Sequence, residues 1–96
     1  MTVRYTWDED KASENLRKHR VTFEEAETVF DDPLSTTYAD PDHSIAERRY
    51  LEMGYSNHGR LLIVSYMQYT EDEDEYSRIM SARTATRGER RRYEET

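Results

Sequence analysis

The 96-residue chain contains no cysteine, which excludes both a disulfide framework and a zinc site built on thiolates. Metal binding would fall to three histidines. His19, His43 and His58 are scattered, with no HExxH or comparable ligand spacing, so metal-free chemistry is expected and no cofactor is implied. Long apolar runs are also missing: the longest, Leu61 to Val64, is far short of the roughly 20 residues that cross a bilayer. The amino terminus has no apolar core of a signal peptide, so the expectation is a soluble, cytoplasmic protein with no membrane partner. No internal repeat, linker or room for a second domain is visible, and residues 1–96 read as one domain with a modest core. His43 and Ser44 lie beside Asp40, Pro41 and Asp42 and read as turn residues; a Ser-His nucleophile would also need the glycine-rich turn that is absent here.

What is abundant is charge, and its placement matters more than the net −7. Residues 71–75 read EDEDE and carry −5, residues 24–42 hold seven acids and no base, and the remainder of the chain is therefore net +5. Its densest basic stretch is Arg83, Arg87, Arg90, Arg91 and Arg92, offset only by Glu89. A phosphate-binding face can coexist with an acidic total, and a solvated helix face is the plainer reading of the same run.

Thr6 and Glu9 suggest a capping box opening a first helix from about Trp7 to Lys18, with Ala12, Leu16 and His19 on one face and Lys11, Asn15 and Lys18 on a neighbouring one. Thr22 and Glu25 suggest a second box, followed by the apolar face of Phe23, Ala26, Val29 and Phe30 and stopped at Pro33. Strand signals follow at Leu34 to Ala39, Arg49 to Tyr55, Leu61 to Tyr69 and Tyr76 to Ala82. Asn57, His58 and Gly59 imply a hairpin between the second and third, and EDEDE reads as a solvated tip between the third and fourth. Thr86 and Glu89 suggest a cap for a final helix reaching about Glu95. The expected fold is α+β: two N-terminal helices, a four-stranded antiparallel sheet with its third strand central, and a C-terminal helix.

Three stretches, WDEDKASENLRKHRVTFEEAETVFDDPL, DPDHSIAERRYLEMGYSNHGRLLIVSY and SRIMSARTATRGERRRYEE, occur in order over nearly the whole chain. Together they resemble the BrnT-type toxins of bacterial type II toxin–antitoxin systems. The resemblance implies a RelE-like fold and a ribosome-independent ribonuclease that arrests translation. It also implies a BrnA-type antitoxin that neutralises the toxin in a complex of two toxins with an antitoxin dimer, operator DNA being bound only through that complex. Two departures stand out. Where the family reads Lys-His-Gly, this chain has Lys18, His19 and Arg20, and arginine is costly at a left-handed helix end that glycine suits. The EDEDE tip is longer and more acidic than the family's loop and would repel RNA from a neighbouring site.

Metal-free RNA cleavage needs a base for the ribose 2′-OH, an acid for the leaving 5′-oxygen and cations for the phosphoryl oxygens. His19 can serve as acid or base near neutral pH; Glu47 is a candidate base; Arg60, Arg78 and Arg83 are candidate catalytic phosphate ligands, with Lys11, Asn15, Lys18, Arg49 and Arg87 as further RNA contacts. Tyr50 and Tyr66 could stack on exposed bases. Each residue also has a structural alternative. His19 could complement a helix dipole, Glu47 could pair with Arg49, and the tyrosines could be half-buried sheet residues. Arg78 and Arg83 are an odd interval apart, so an unbroken strand puts them on opposite faces, and they share a site only if the strand ends near Ala82. The alternative function is a non-catalytic, toxin-like binding module acting as antitoxin partner and co-repressor.

Overall fold

A computed structural model describes residues 3–41 and 48–95. In chain order the elements are β1 (Val3–Thr6), α1 (Glu9–His19), α2 (Phe23–Glu27) running into a 3-10 turn (Thr28–Asp31), β2 (Thr36–Ala39), β3 (Arg49–Tyr55), β4 (Leu61–Glu71), β5 (Asp74–Thr84) and α3 (Arg87–Glu94). The sheet order is β1-β5-β4-β3-β2. β4 is central, and its Leu61, Leu62, Ile63 and Val64 are all buried, as a continuous apolar run requires when both faces of a strand are covered.

The sheet corrects the expectation of four antiparallel strands. A fifth strand, β1, pairs in parallel with β5 from Val3↔Glu75 to Thr6↔Arg78, so the sheet is mixed. Four residues are too few to display alternation. Thr6, read as a helix cap, belongs to β1, and α1 is instead capped by Asp8, whose carboxylate accepts from the Asp10 N–H at 3.4 Å. Trp7 precedes the helix and packs edge-on against Phe23 with ring centroids 6.0 Å apart.

Both other caps form where expected, one of them only in half. Thr22 accepts from the Glu25 N–H at 3.0 Å, but the Glu25 carboxylate points away to Arg60 and Ser56. Thr86 and Glu89 make the full reciprocal box at the start of α3. The helix α1 ends on Arg20 in the left-handed region (φ 58°), its N–H bonded to the Leu16 carbonyl at 3.0 Å. This is the conformation that glycine would adopt without steric cost.

The helices α1 and α2 and the 3-10 turn cover one face of the sheet. Val21, Phe23, Ala26 and Val29 pack there against Leu62, Val64, Ile79 and Ala82, all essentially inaccessible. The helix α3 leans on the opposite face, where Tyr93 meets the Tyr55 ring at 6.1 Å and donates its hydroxyl to the Leu34 carbonyl at 2.8 Å. Gly54 marks a close approach on the covered face: a Cβ there would lie 2.8 Å from that of Ser35 and 3.1 Å from Val29 Cγ1.

Two irregularities in β5 govern everything near it. Ile79 pairs with Tyr66 and Ser81 with Ser65, so Met80 is an extra residue and the strand is bulged there. Past the reach of β1, the edge of β5 is then closed by a side chain. The Asn15 amide donates to the Ala82 carbonyl at 2.9 Å and accepts from the Ala82 N–H at 3.0 Å, as a neighbouring strand would, while its second amide hydrogen goes to the Val21 carbonyl at 2.9 Å. Asn15 is 4% exposed. Replacing it leaves three buried backbone groups without partners, so Asn15→Leu is expected to cost about 2–4 kcal/mol in urea unfolding. Asn15→Asp should lose nearly as much, because a carboxylate would face two carbonyls; an aspartate variant as stable as the parent contradicts this account of the edge.

Candidate functional site

The register places residues in rows across the face that α1 and α2 do not cover. From the hairpin tip inward these are Tyr69 and Tyr76; then Arg49, Met67 and Arg78; then Leu51, Ser65 and Ser81; then Met53, Ile63 and Arg83. The bulge at Met80 is what puts Arg78 and Arg83 together on this face. With alternation interrupted once, an odd separation returns side chains to the same side. The strand does not end near Ala82, as the shared-site condition supposed, but continues to Thr84. Arg49 and Arg78 flank Met67 at two strand spacings, roughly 10 Å.

The Arg78 side chain is partly exposed and makes no ion pair or hydrogen bond among the described residues. Arg83 is engaged: its guanidinium donates to both Glu89 oxygens at 2.8 and 2.9 Å. A fork-to-fork pair of this kind fixes the guanidinium in place, and it also ties β5 to the first turn of α3. Below α3 the same face becomes apolar, forming a cleft of about 460 Å³ lined by Tyr38, Leu51, Met53, Ile63, Arg83 and Arg92.

At the β5 margin, Lys11, Asn15, Lys18 and His19 of α1 meet Met80 and Ser81 in a shallow cleft of about 180 Å³. The structure therefore brings the α1 residues expected from the sequence up to the edge that carries the bulge. Lys18 is shared with Glu14 at 3.2 Å, and His19 is exposed at the helix end. Asn15 is present, but both its amide hydrogens are spent on backbone carbonyls.

Other expected residues lie elsewhere. Arg60 grips the buried Glu25 carboxylate through Nε at 2.9 Å and through its terminal nitrogen, and also donates to the Arg20 carbonyl at 3.1 Å. The hydrogen bonds from Arg60, joined by Ser56, hold the Glu25 carboxyl below the usual range against the opposing effect of burial. Arg60 thus clamps α2 to the β3–β4 turn. Tyr66 is 3% exposed on the covered face, against Phe30 and Tyr50, and its hydroxyl donates to Glu52 at 3.2 Å. Burial first, and then the Glu52 charge, push its phenol above the ordinary tyrosine range. Neither Tyr66 nor its half-buried partner Tyr50 turns a ring to the open face, because alternate positions on β3 and β4 point to the helices. Arg87 is exposed on α3. Glu47, with His43 and Ser44, lies outside the described residues. Among the described residues no three His, Asp or Glu side chains converge as metal ligands, and no helix is long and apolar enough to cross a membrane.

A family model described as the ribonuclease toxin BrnT of type II toxin–antitoxin systems matches residues 7–89. The chain belongs to this BrnT family. A crystal structure of the Brucella abortus ribonuclease toxin BrnT matches it with a TM-score of 0.66 at 20% identity, covering 90% of this chain and 100% of that one. At that identity the likeness establishes the shared fold. No curated protein matches the chain. Membership in the BrnT family makes the chain a ribonuclease toxin with an antitoxin as partner.

Tyr69, Tyr76, Met67 and Ser65 join this BrnT face without having been singled out from the sequence. Tyr69 and Tyr76 were findable, since a two-residue turn at Asp72 and Glu73 forces them into register. Both turn residues have positive φ (51° and 71°), the geometry for which Asn-Gly is the usual signal, and acids in its place concealed it.

The Arg83–Glu89 pair makes a pH prediction. Hydrogen bonds from Arg83 come first, with the Thr86 N–H assisting, and hold the Glu89 carboxyl at about 2 against 4.5 for the ordinary group, while partial burial opposes them. A carboxyl depressed on folding contributes stability that is complete above pH 4.5 and lost as pH falls through about 2. Because Arg83 is 42% exposed, solvent screening reduces the contribution to about 1–2 kcal/mol. Glu89→Gln should lower stability by that amount at pH 7 and flatten its fall between pH 4.5 and 2; parallel stability curves for variant and parent would rule the pair out as a stabilising contact.

Proposed function

We propose that this BrnT-family chain is an endoribonuclease that cuts single-stranded RNA without a metal ion, on the sheet face bearing Arg78 and Arg83, and so arrests translation in the cytoplasm. The observation that carries this reading is the bulge at Met80, which sets both arginines on one open face. The α1 cations Lys11 and Lys18, with His19, stand at its margin. A phosphodiester seated there would meet Arg78 with its guanidinium uncommitted among the described residues and Arg83 with its guanidinium held in position by Glu89.

The chemistry follows from those positions. The 2′-oxygen attacks the adjacent phosphorus, the 5′-oxygen of the next nucleotide leaves, and the products carry 2′,3′-cyclic phosphate and 5′-hydroxyl ends. Arginine forks offset the charge that builds on the non-bridging oxygens. His19 is the candidate proton carrier, and Glu47 is a candidate base. Arg60 has a structural role on this reading, since its fork is occupied by Glu25. A BrnA-type antitoxin would neutralise the toxin, with operator DNA contacted only through their complex.

A second reading takes support from the neutralisation of two of the three expected catalytic arginines by glutamates: a non-catalytic module that serves as antitoxin partner and co-repressor. Incubation of antitoxin-free protein with a defined single-stranded RNA in EDTA separates the two. The ribonuclease reading expects cleavage with cyclic-phosphate ends, reduced about a hundredfold or more by Arg78→Ala with the circular dichroism spectrum unchanged. A folded parent that leaves the RNA intact, yet binds its antitoxin tightly, establishes the binding module instead.

A further inference from the structure

Beyond the arginine rows, the open face ends in two tyrosines. Tyr69 and Tyr76 pair across β4 and β5, and their rings lie nearly parallel, 8° apart in plane with centroids separated by 5.0 Å. Both are partly exposed, and neither hydroxyl forms a hydrogen bond among the described residues. They sit one row from Arg78 and Met67, on the same side of the sheet. The other tyrosine pair of the sheet, Tyr50 and Tyr66, is turned toward the helices.

Immediately past Tyr69 and Tyr76 the chain becomes acidic. Glu71, Asp72, Glu73 and Glu75 form the hairpin tip with Asp74, which lies 3.6 Å from Arg4. A backbone phosphate placed at this end would be repelled, whereas a neutral base loses nothing and gains contact with an aromatic surface. Stacking on an aromatic ring requires a base with an open face, which a base inside a duplex does not offer. Chemistry therefore changes along the strands, from phosphate-compatible at Arg78 to base-compatible at the tyrosines.

We infer that the Tyr69–Tyr76 pair is a stacking subsite for one unpaired nucleobase, flanking the phosphate held at Arg78. This assignment rests on the ribonuclease reading above and adds to it the part of the substrate that selects single strands. A cross-strand aromatic pair also stabilises a hairpin, and that role alone would make no contact with RNA. The distinction is measurable.

The probe is a single-stranded RNA fully methylated at the 2′-oxygens, so that it cannot be cut, with one 2-aminopurine moved along its length. With the full-length protein, 2-aminopurine fluorescence should be quenched at one position. Tyr69→Leu and Tyr76→Leu should abolish that quenching and weaken binding about five- to a hundredfold, the range for loss of one base stack, whereas Tyr69→Phe and Tyr76→Phe should retain both. Quenching at no position refutes the subsite from the parent alone, whatever the leucine variants do to folding. Leucine variants that melt like the parent and bind with unchanged affinity and quenching refute it too. If the parent cuts unmodified RNA while either of these results holds, the subsite fails and the ribonuclease reading stands. A parent that neither cuts nor binds RNA removes both together.

Discussion

Met80 is the residue that β5 has in excess of β4, and the side chains on either side of it are sorted by that excess. Ser77 and Ile79 face the helices at odd positions, Ala82 does so at an even one, and Arg78 and Arg83 consequently share the other face. The same displacement brings the Ala82 backbone into register with Asn15, whose amide stands in for a missing strand. The bulge thus joins the core, the strand edge and the cationic face. Bulges commonly re-aim side chains near functional sites in this way.

The acidity of the chain is compatible with RNA chemistry because its acids are placed, not spread. Glu25 and Glu89 are internal partners that immobilise Arg60 and Arg83. Glu52 is buried among the Ser35, Thr37 and Tyr66 hydroxyls and holds β2 against β3. The EDEDE block is confined to the hairpin tip at one end of the open face. At the other end of that face, α3 presents Arg87, Arg90, Arg91 and Arg92 to solvent. The field along the sheet therefore runs from acidic to basic.

Strong local signals were legible. Leu61 to Val64 marked the central strand, β3 runs from Arg49 to Tyr55 as its alternation indicates, Thr22 and Thr86 cap the helices they precede, and the ordered motifs carried the likeness to BrnT toxins. What was hidden is mostly non-local. Arg60 and Glu25 are separated by 35 positions, and no spacing rule connects a loop arginine to a helix glutamate. β1 was too short to alternate, and its Thr6 imitated a cap. The bulge at Met80 carries neither glycine nor proline to announce it, so the faces of Arg78 and Arg83 could not be assigned until the register was known. Tyr50 and Tyr66 attracted attention as aromatic residues on strands, but parity sends them to the helix-covered side and leaves Tyr69 and Tyr76 on the open one.

The central claim is that one face of this sheet, defined by the bulge, receives RNA. Nuclear magnetic resonance of isotope-labelled protein titrated with a non-cleavable single-stranded RNA tests it most directly. The account predicts shifts concentrated at Ser65, Met67, Arg78 and Ser81 and extending to Lys18 and His19, with Ala26, Val29 and Glu52 unmoved. Shifts centred on α2 and β2, with Arg78 and Ser81 silent, would contradict it.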